Sequence, residues 1–498
     1  MRPGSRERAG LLAAVAAALV VGVCAVVLPI LWSAALTAAT ALLGLLLLAR
    51  RYVAAGAATT EPGGGETPSA PQDLRLARYL YFAGLLTIGQ TTFRPLLDLT
   101  LSDWLFFAAL MGVLAGSVVD GRRLTFRIPP LLVVGVVLFV VSGTVSSLDA
   151  VAPLQSVARV TRFGYLTIVW FWLGTLVLRR ESHLRAAIGC WVASVALDGV
   201  AAVLQARGVA LPYLGPVMWG RMTAFTEHVN DLGGAAAVAM APAFALIFTA
   251  ARLRGRLAWT ASLLAIVAAA VLSGSVGGMA AGVGALGVWF VVSSSGWRPL
   301  VVALVALTVA LALAQLQGDL GLPDPLQRVL AATGQTGGGR YSTIATRVKG
   351  YDYAWTRLAD GGWLGVGLDE QSGDAGGAEV HNVILKAWYE AGWAGAVGMV
   401  CVLLGALGSA LHSARLAATR NMRLAAAGLF SAVVALVVFG LAAPILHQRY
   451  AWVAVALSVS CLAITRERSP AAGRRRAETG YVRAEPLPPL ELVSDGRG

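Results

Sequence analysis

The stretch HNVILKAWYEAGWAGAVGMVCVLLGALGSAL, residues 381–411, decides how the chain is read. From Ala391 to Leu411 it carries no charged side chain. About 20 apolar residues cross a bilayer as a helix, so the pattern predicts a membrane span over 383–411. Its first turns pose a different question. They hold His381, Asn382, Lys386 and Glu390, and ionisable groups beside lipid are costly.

The composition extends the first half of this reading to the whole chain. Its 498 residues are 57% hydrophobic and 13% charged, with a mean hydropathy of +0.72. A soluble domain cannot hide that much apolar surface, so an all-α polytopic membrane protein is expected. Apolar runs give about 14 candidate spans. They lie near 11–29, 31–49, 78–95, 101–119, 129–148, 160–178, 186–204, 232–250, 257–274, 277–295, 299–316, 383–411, 424–441 and 445–465. The first run is long and a second follows Pro29, which reads as a retained helical hairpin, not a cleaved signal. Cys24, Cys190, Cys401 and Cys461 all fall in apolar runs without metal-ligand spacing, as packing residues do.

Arginine placement tests the count. With the N-terminus inside, alternation gives the inner segments Arg50/Arg51, Arg75/Arg78, Arg122/Arg123/Arg127, Arg179/Arg180/Arg185, Arg252/Arg254/Arg256, Arg298 and Arg415/Arg420/Arg423. The tail adds Arg466, Arg468 and Arg474–Arg476, so both termini are expected inside. The net charge of +13 is thus mostly a topology signal, and no nucleic-acid partner is expected. The organisation follows: a transmembrane hairpin over 1–50, a flexible inner linker over 51–77 and a transmembrane core over 78–316. An extracytoplasmic loop spans 317–382, C-terminal helices 383–465, and a basic tail 466–498. The outer loop is too long for an idle connection. Within it Tyr351, Trp355 and Leu358 recur at helical spacing, predicting an amphipathic helix near 342–359 on the outer membrane surface.

Charges that defy the orientation bias carry the information. Arg94, Arg159, Arg162, Arg207, Arg221, Arg340, Arg347, Lys349 and Arg449 fall outside, with His228, His381 and His447. Arg159 and Arg162, three apart at the expected start of a span, share a helix face. They snorkel to headgroups, pair with Asp149, or hold an anion, and the planar guanidinium suits the oxygen pairs of a diphosphate. His381 sits at the mouth of the 383–411 helix, where a neutral imidazole accepts a proton from a hydroxyl, and Asn382 caps that helix or positions a ligand. Glu390 lies about 13 Å along the helix axis from His381. It pairs with Lys386 four residues earlier, or serves the substrate as an intramembrane carboxylate. The chain has no Asp-x-Asp pair, Walker loop, His/Cys metal spacing or Gly-x-Ser-x-Gly elbow, so no metal or nucleotide cofactor is expected.

Four stretches together resemble the O-antigen ligase and polymerase family of bacterial membrane glycosyltransferases. RMTAFTEHVNDLGGAAAVAMAP (221–242) is similar to an Arg–Phe–Asn run, through Arg221, Phe225 and Asn230. LSGSVGGMAAGVGAL (272–286) is similar to a Ser-Arg-Gly turn, with Val276 where relatives carry Arg. TRVKGYDYAWTRLADGGWLGVGLDE (346–370) looks like an Arg…Trp…Gly-x-Gly loop, and HNVILKAWYEAG (381–392) has a His-x10-Gly spacing.

The resemblance implies a GT-C-like membrane enzyme of the bacterial cytoplasmic membrane with its site on the extracytoplasmic side. It implies a polyprenyl-diphosphate-linked glycan donor, a glycan or glycolipid acceptor, and metal-independent transfer with inversion in cell-surface polysaccharide assembly. His381 would act as base with Asn382 beside it. Arg221 and Arg347, helped by Arg159, Arg162 and Arg340, would bind diphosphate, and Tyr351, Trp355, Glu390 and Asn230 would contact substrate. The motifs do not separate ligase from polymerase. The rival reading is a transporter or flippase of lipid-linked sugars, for which a midplane polar pathway and an internal repeat are expected.

Overall fold

The computed structural model describes residues 72–94, 99–119, 124–293, 344–359, 363–369 and 379–467. The spans expected near 11–29, 31–49 and 299–316, the linker up to residue 71, Arg340 and the tail from residue 468 on lie outside the described residues.

Among the described residues the regular elements are helices. They are α1 (Gln72–Leu86), α2 (Leu101–Val119), α3 (Pro130–Ser146), α4 (Pro153–Gly164) and α5 (Trp170–Val177), then α6 (Glu181–Ala206), α7 (Val229–Thr249), α8 (Leu253–Ser273) and α9 (Val276–Ser293). After them come α10 (Ile344–Ala359), α11 (Val383–Leu416), α12 (Arg420–Gly440) and α13 (Arg449–Glu467). A π-helical turn, Tyr165–Val169, joins α4 to α5 into one span. Nine spans among the described residues are long and apolar enough to cross a membrane, so the chain is an all-α polytopic membrane protein. α7 and α13 are buried almost all round and form the centre, whereas α2 is open over most of its length.

Three expectations change. The helix expected over 78–95 runs instead over Gln72–Leu86. It ends where the Thr87 hydroxyl bonds back to the Ala83 carbonyl, and the N–H groups of Thr91 and Thr92 turn to the Phe225 carbonyl. The span expected over 160–178 starts earlier, with Pro153 in its first turn, which puts Arg159 and Arg162 inside α4. The continuous helix expected over 383–411 is broken at Gly392.

Small residues let these helices meet at backbone distance, the packing mode that works without a hydrophobic effect between spans. Where α3 crosses α11, a Cβ on Gly135 would lie 2.6 Å from the Gly398 carbonyl oxygen, and one on Gly398 would meet the Gly135 oxygen at 2.6 Å.

The two ends of the bundle carry different polar groups. At one end Arg78 donates to the Val177 carbonyl (3.1 Å), the Thr419 hydroxyl to Glu181 (2.9 Å), and Arg127 pairs with Glu467. These are among the segments expected inside from arginine placement. At the opposite end Asp103 and Arg449, each 3% exposed, form a buried pair with Nε and Nη2 contacts of 2.5–3.0 Å. The Thr100 N–H and hydroxyl both donate to Asp103 at 3.0 Å. A buried charge pair is tolerated only when its remaining hydrogen bonds are satisfied in this way.

Candidate active site at one end of the bundle

The polar end that holds Asp103 and Arg449 also holds the mouths of α7 and α11. His228 caps α7: its Nδ1 accepts from the Asn230 N–H at 3.1 Å. Arg221, on the connection before α7, is 6% exposed. Its Nε donates to the Ser273 carbonyl at 2.6 Å and its Nη2 to Asn230 Oδ1 at 3.1 Å. Arg221 therefore docks on the Ser273–Gly274–Ser275 turn that precedes Val276. Gly274 takes φ 57° there, closing α8 in a left-handed cap.

α11 begins at Asn382, whose Oδ1 accepts from the N–H groups of Ile384 and Leu385, both at 3.0 Å. That oxygen is committed to the helix. Just before it, His381 Nδ1 lies 2.6 Å from the Glu379 carbonyl oxygen. A carbonyl only accepts, so Nδ1 carries the hydrogen and Nε2 keeps its lone pair. Burial lowers the His381 pKa, and the Arg347 and Lys386 charges lower it further, against a rise from the Glu379 carbonyl and carboxylate. His228 is likewise lowered by burial, then by Arg221, with His381 and Arg347 also acting on it.

α10 lies against the start of α11. The Tyr351 hydroxyl donates to the His381 carbonyl at 2.9 Å, and Ala354 packs with Val380 and Tyr389. Arg347, on the same helix, has a buried Nε without a hydrogen-bond partner among the described residues. Trp355 is 61% exposed and meets Trp388 edge-on at 5.9 Å.

Lys386 sits at the centre of this end. It is 3% exposed, and its Nζ lies 2.9 Å from both Glu379 and the fully buried Glu390. Glu390 is thus an ion-pair partner one turn along α11, as the four-residue spacing predicts.

Two residues on, Gly392 takes φ 74° and ψ 178°, a conformation essentially confined to glycine. The break releases the carbonyls of Tyr389 and Glu390. The N–H groups of Val366 and Gly367 take them, each at 3.0 Å, and Trp393 N–H donates to the Trp363 carbonyl at 3.2 Å. The Gly-x-Gly segment is therefore a strap laid along the broken turn. A Cβ on Gly365 would lie 2.4 Å from the Gly392 nitrogen, which fixes that position as glycine. The strap is held from α4 as well: Ser156 accepts from the Leu368 N–H at 2.7 Å and Arg159 donates to the Leu368 carbonyl at 3.1 Å.

The predicted site residues are thus distributed unevenly. His381, Asn382, Tyr351 and Arg347 share one neighbourhood, and Arg221 with Asn230 borders it through His228. Arg159 and Arg162 lie close enough to His447 for their charges to act on it, together with Lys386. Arg340 is outside the described residues. Motif reading did not assign Glu379, the residue that sets the His381 tautomer and neutralises Lys386. Its signal was weak: a lone carboxylate two positions before a histidine. Among the described residues no three His, Cys, Asp or Glu side chains gather to hold a metal ion.

No curated protein matches the chain. Residues 260–400 match the family model described as O-antigen ligase. The match takes in the 273–275 turn, α10, the strap and the run from His381 to Gly392, so that part of the chain is similar to the O-antigen ligase family.

Proposed function

We propose that the chain transfers a glycan from a polyprenyl diphosphate carrier to a sugar hydroxyl of an acceptor glycan, at the outer face of the bacterial cytoplasmic membrane. What carries the reading is His381: its Nδ1 is engaged by the Glu379 carbonyl, and Arg347 and Arg221 lie on its side of the bundle end. In this scheme the acceptor oxygen attacks the anomeric carbon, and its proton passes to His381 Nε2. The bond from that carbon to the phosphate oxygen breaks, and its electron pair leaves with the polyprenyl diphosphate. Attack opposite the leaving group inverts the anomeric centre.

Charge on the diphosphate grows as the bond breaks, so fixed arginines stabilise the transition state more than the ground state. Arg347, whose buried Nε has no partner among the described residues, and Arg221, already oriented by Ser273 and Asn230, suit that task. Arg159, Arg162 and Arg340 would assist. Asn382 positions His381 by fixing the helix mouth. Tyr351 orients the His381 backbone, and Trp355 is exposed for a sugar face. Membrane lipid would hold the prenyl chain, and no metal or nucleotide is invoked.

The test is direct. The full chain in lipid nanodiscs is given a polyprenyl-diphosphate oligosaccharide and a glycan acceptor, and the lipid diphosphate is measured. Release that needs the acceptor and is lost in His381→Ala is expected. Intact donor crossing between leaflets without glycan transfer would overturn the reading in favour of a flippase.

A further inference from the structure

The connection between α12 and α13, residues 441–448, plays no part in the scheme above, yet it is wedged into the same end of the bundle. The Leu441 carbonyl accepts from Asn382 Nδ2 at 3.4 Å, and Ile445 and Leu446 are fully buried. The Leu446 carbonyl accepts from Trp452 Nε1 at 3.1 Å, and the Trp452 ring meets Phe163 edge-on at 5.4 Å. Phe163 is the neighbour of Arg162 on α4. His447, the next residue of the connection, is thereby held among α4, α11 and α13.

Both ring nitrogens of His447 are buried, and neither has a hydrogen-bond partner among the described residues. A buried polar atom left in this state lowers stability, so it calls for an explanation. After burial, the charges that act most strongly on the ring are all positive: Lys386 from α11, Arg159 and Arg162 from α4, and Arg449 from α13. Burial and these cations hold the ring pKa well below its ordinary value. A neutral imidazole offers one N–H and one lone pair. Lys386 already has Glu379 and Glu390, and Arg449 has Asp103. Such a surrounding rejects a cation and favours an anion with several acceptor oxygens.

We propose that His447 is a phosphoryl-binding residue whose ring donates one N–H to an oxygen of a phosphate group drawn in by Arg159 and Arg162. The proposal deepens the reading of the site given above and rests on it for the source of the phosphate. That source is the donor diphosphate or a phosphoryl group on the acceptor. Lys386 acts on both His447 and His381, but Arg159 and Arg162 are felt at His447 where Arg347 is felt at His381, so His447 adds a second anion contact beyond Arg221 and Arg347.

Inorganic pyrophosphate binding to the full chain in nanodiscs, measured by calorimetry, tests this without any glycan. His447→Phe keeps a ring and removes the donor, and His447→Gln keeps a donor. We expect the phenylalanine variant to bind pyrophosphate roughly tenfold to a hundredfold more weakly and the glutamine variant to stay within about threefold. The phenylalanine variant should also unfold at or above the wild-type temperature, because an apolar ring replaces unpartnered buried nitrogens. A purely structural histidine would give a lower unfolding temperature and unchanged affinity. His447→Leu, which removes the donor without adding bulk, answers if the larger ring does not fold in.

Unchanged affinity in every folded variant that lacks the donor, or no pyrophosphate binding by the wild type, overturns the proposal. Pyrophosphate binding without any glycan transfer overturns the functional reading and leaves this one standing. Where transfer is seen, a raised KM for the donor assigns the phosphate to the carrier, and a raised KM for the acceptor assigns it to the acceptor.

Discussion

In the proposed scheme His381 must be neutral with its Nε2 available, and the two conditions have separate causes. Its tautomer comes from the Glu379 carbonyl 2.6 Å from Nδ1. Its neutrality comes first from burial, then from Arg347 and Lys386, which together lower its pKa below the ordinary value near 6.5. A lowered pKa keeps the base form present to lower pH, so the transfer rate should hold steady through neutrality and fall only below about 6.5. Removing Arg347 removes one of the lowering charges. In Arg347→Ala the acid limb of the pH–rate profile should therefore move up, whatever the variant does to the maximum rate. His381→Ala should reduce transfer roughly 10²–10⁴-fold at all pH values. At this scale the sequence was partly legible. Histidine and asparagine at a helix mouth were plain, and Asn382 does cap α11. The partner of Nδ1 is a backbone carbonyl, which no side-chain pattern announces.

The helix α11 does two jobs because it is broken. Its first turns carry Lys386 and Glu390 in the polar end, and its later turns pack as an apolar span against α3. Gly392 makes the division, and the strap from Trp363 to Asp369 takes up the carbonyls that the break releases. In Gly392→Ala the backbone would be forced from a glycine-only region, at a cost of about 1–3 kcal/mol. The new Cβ would also lie 2.3 Å from the Trp363 carbonyl oxygen. We expect a lower unfolding temperature in detergent and a loss of transfer, with His381 itself unaltered. The spacing from His381 to Gly392 was visible in the sequence, but its meaning was not. An apolar run with a glycine reads as an unbroken helix until the segment that pairs with the break is placed beside it. The same holds for α4, where Pro153 rather than the first apolar residue sets the start and so moves Arg159 and Arg162 inward.

Across the whole molecule, alternating spans sort the polar groups into two ends, and a membrane-impermeant thiol reagent can read the sorting. Lys349→Cys on exposed α10 should react in intact cells, whereas Arg252→Cys before α8 should react only after the membrane is opened. The reverse pattern would turn the topology over. The Asp103–Arg449 pair ties the start of α2 to the start of α13, two elements far apart in the chain. Asp103→Ala strands a buried guanidinium and should cost roughly 3–5 kcal/mol, read as a drop in unfolding temperature. Replacing both partners with apolar residues should cost less. The apolar runs were enough to determine a polytopic helical bundle, and the placement of arginines gave an expected orientation for its residues. These are properties of segment length and of charge against lipid, and both are local to the chain. Which of those residues meet was decided only by tertiary packing. Glycine contacts bring α3 against α11, and the strap pairs with the Gly392 break. Lys386 falls between two carboxylates, and His447 falls among four cations. Such encounters depend on how spans cross, and a crossing is set by side-chain shape on two helices at once.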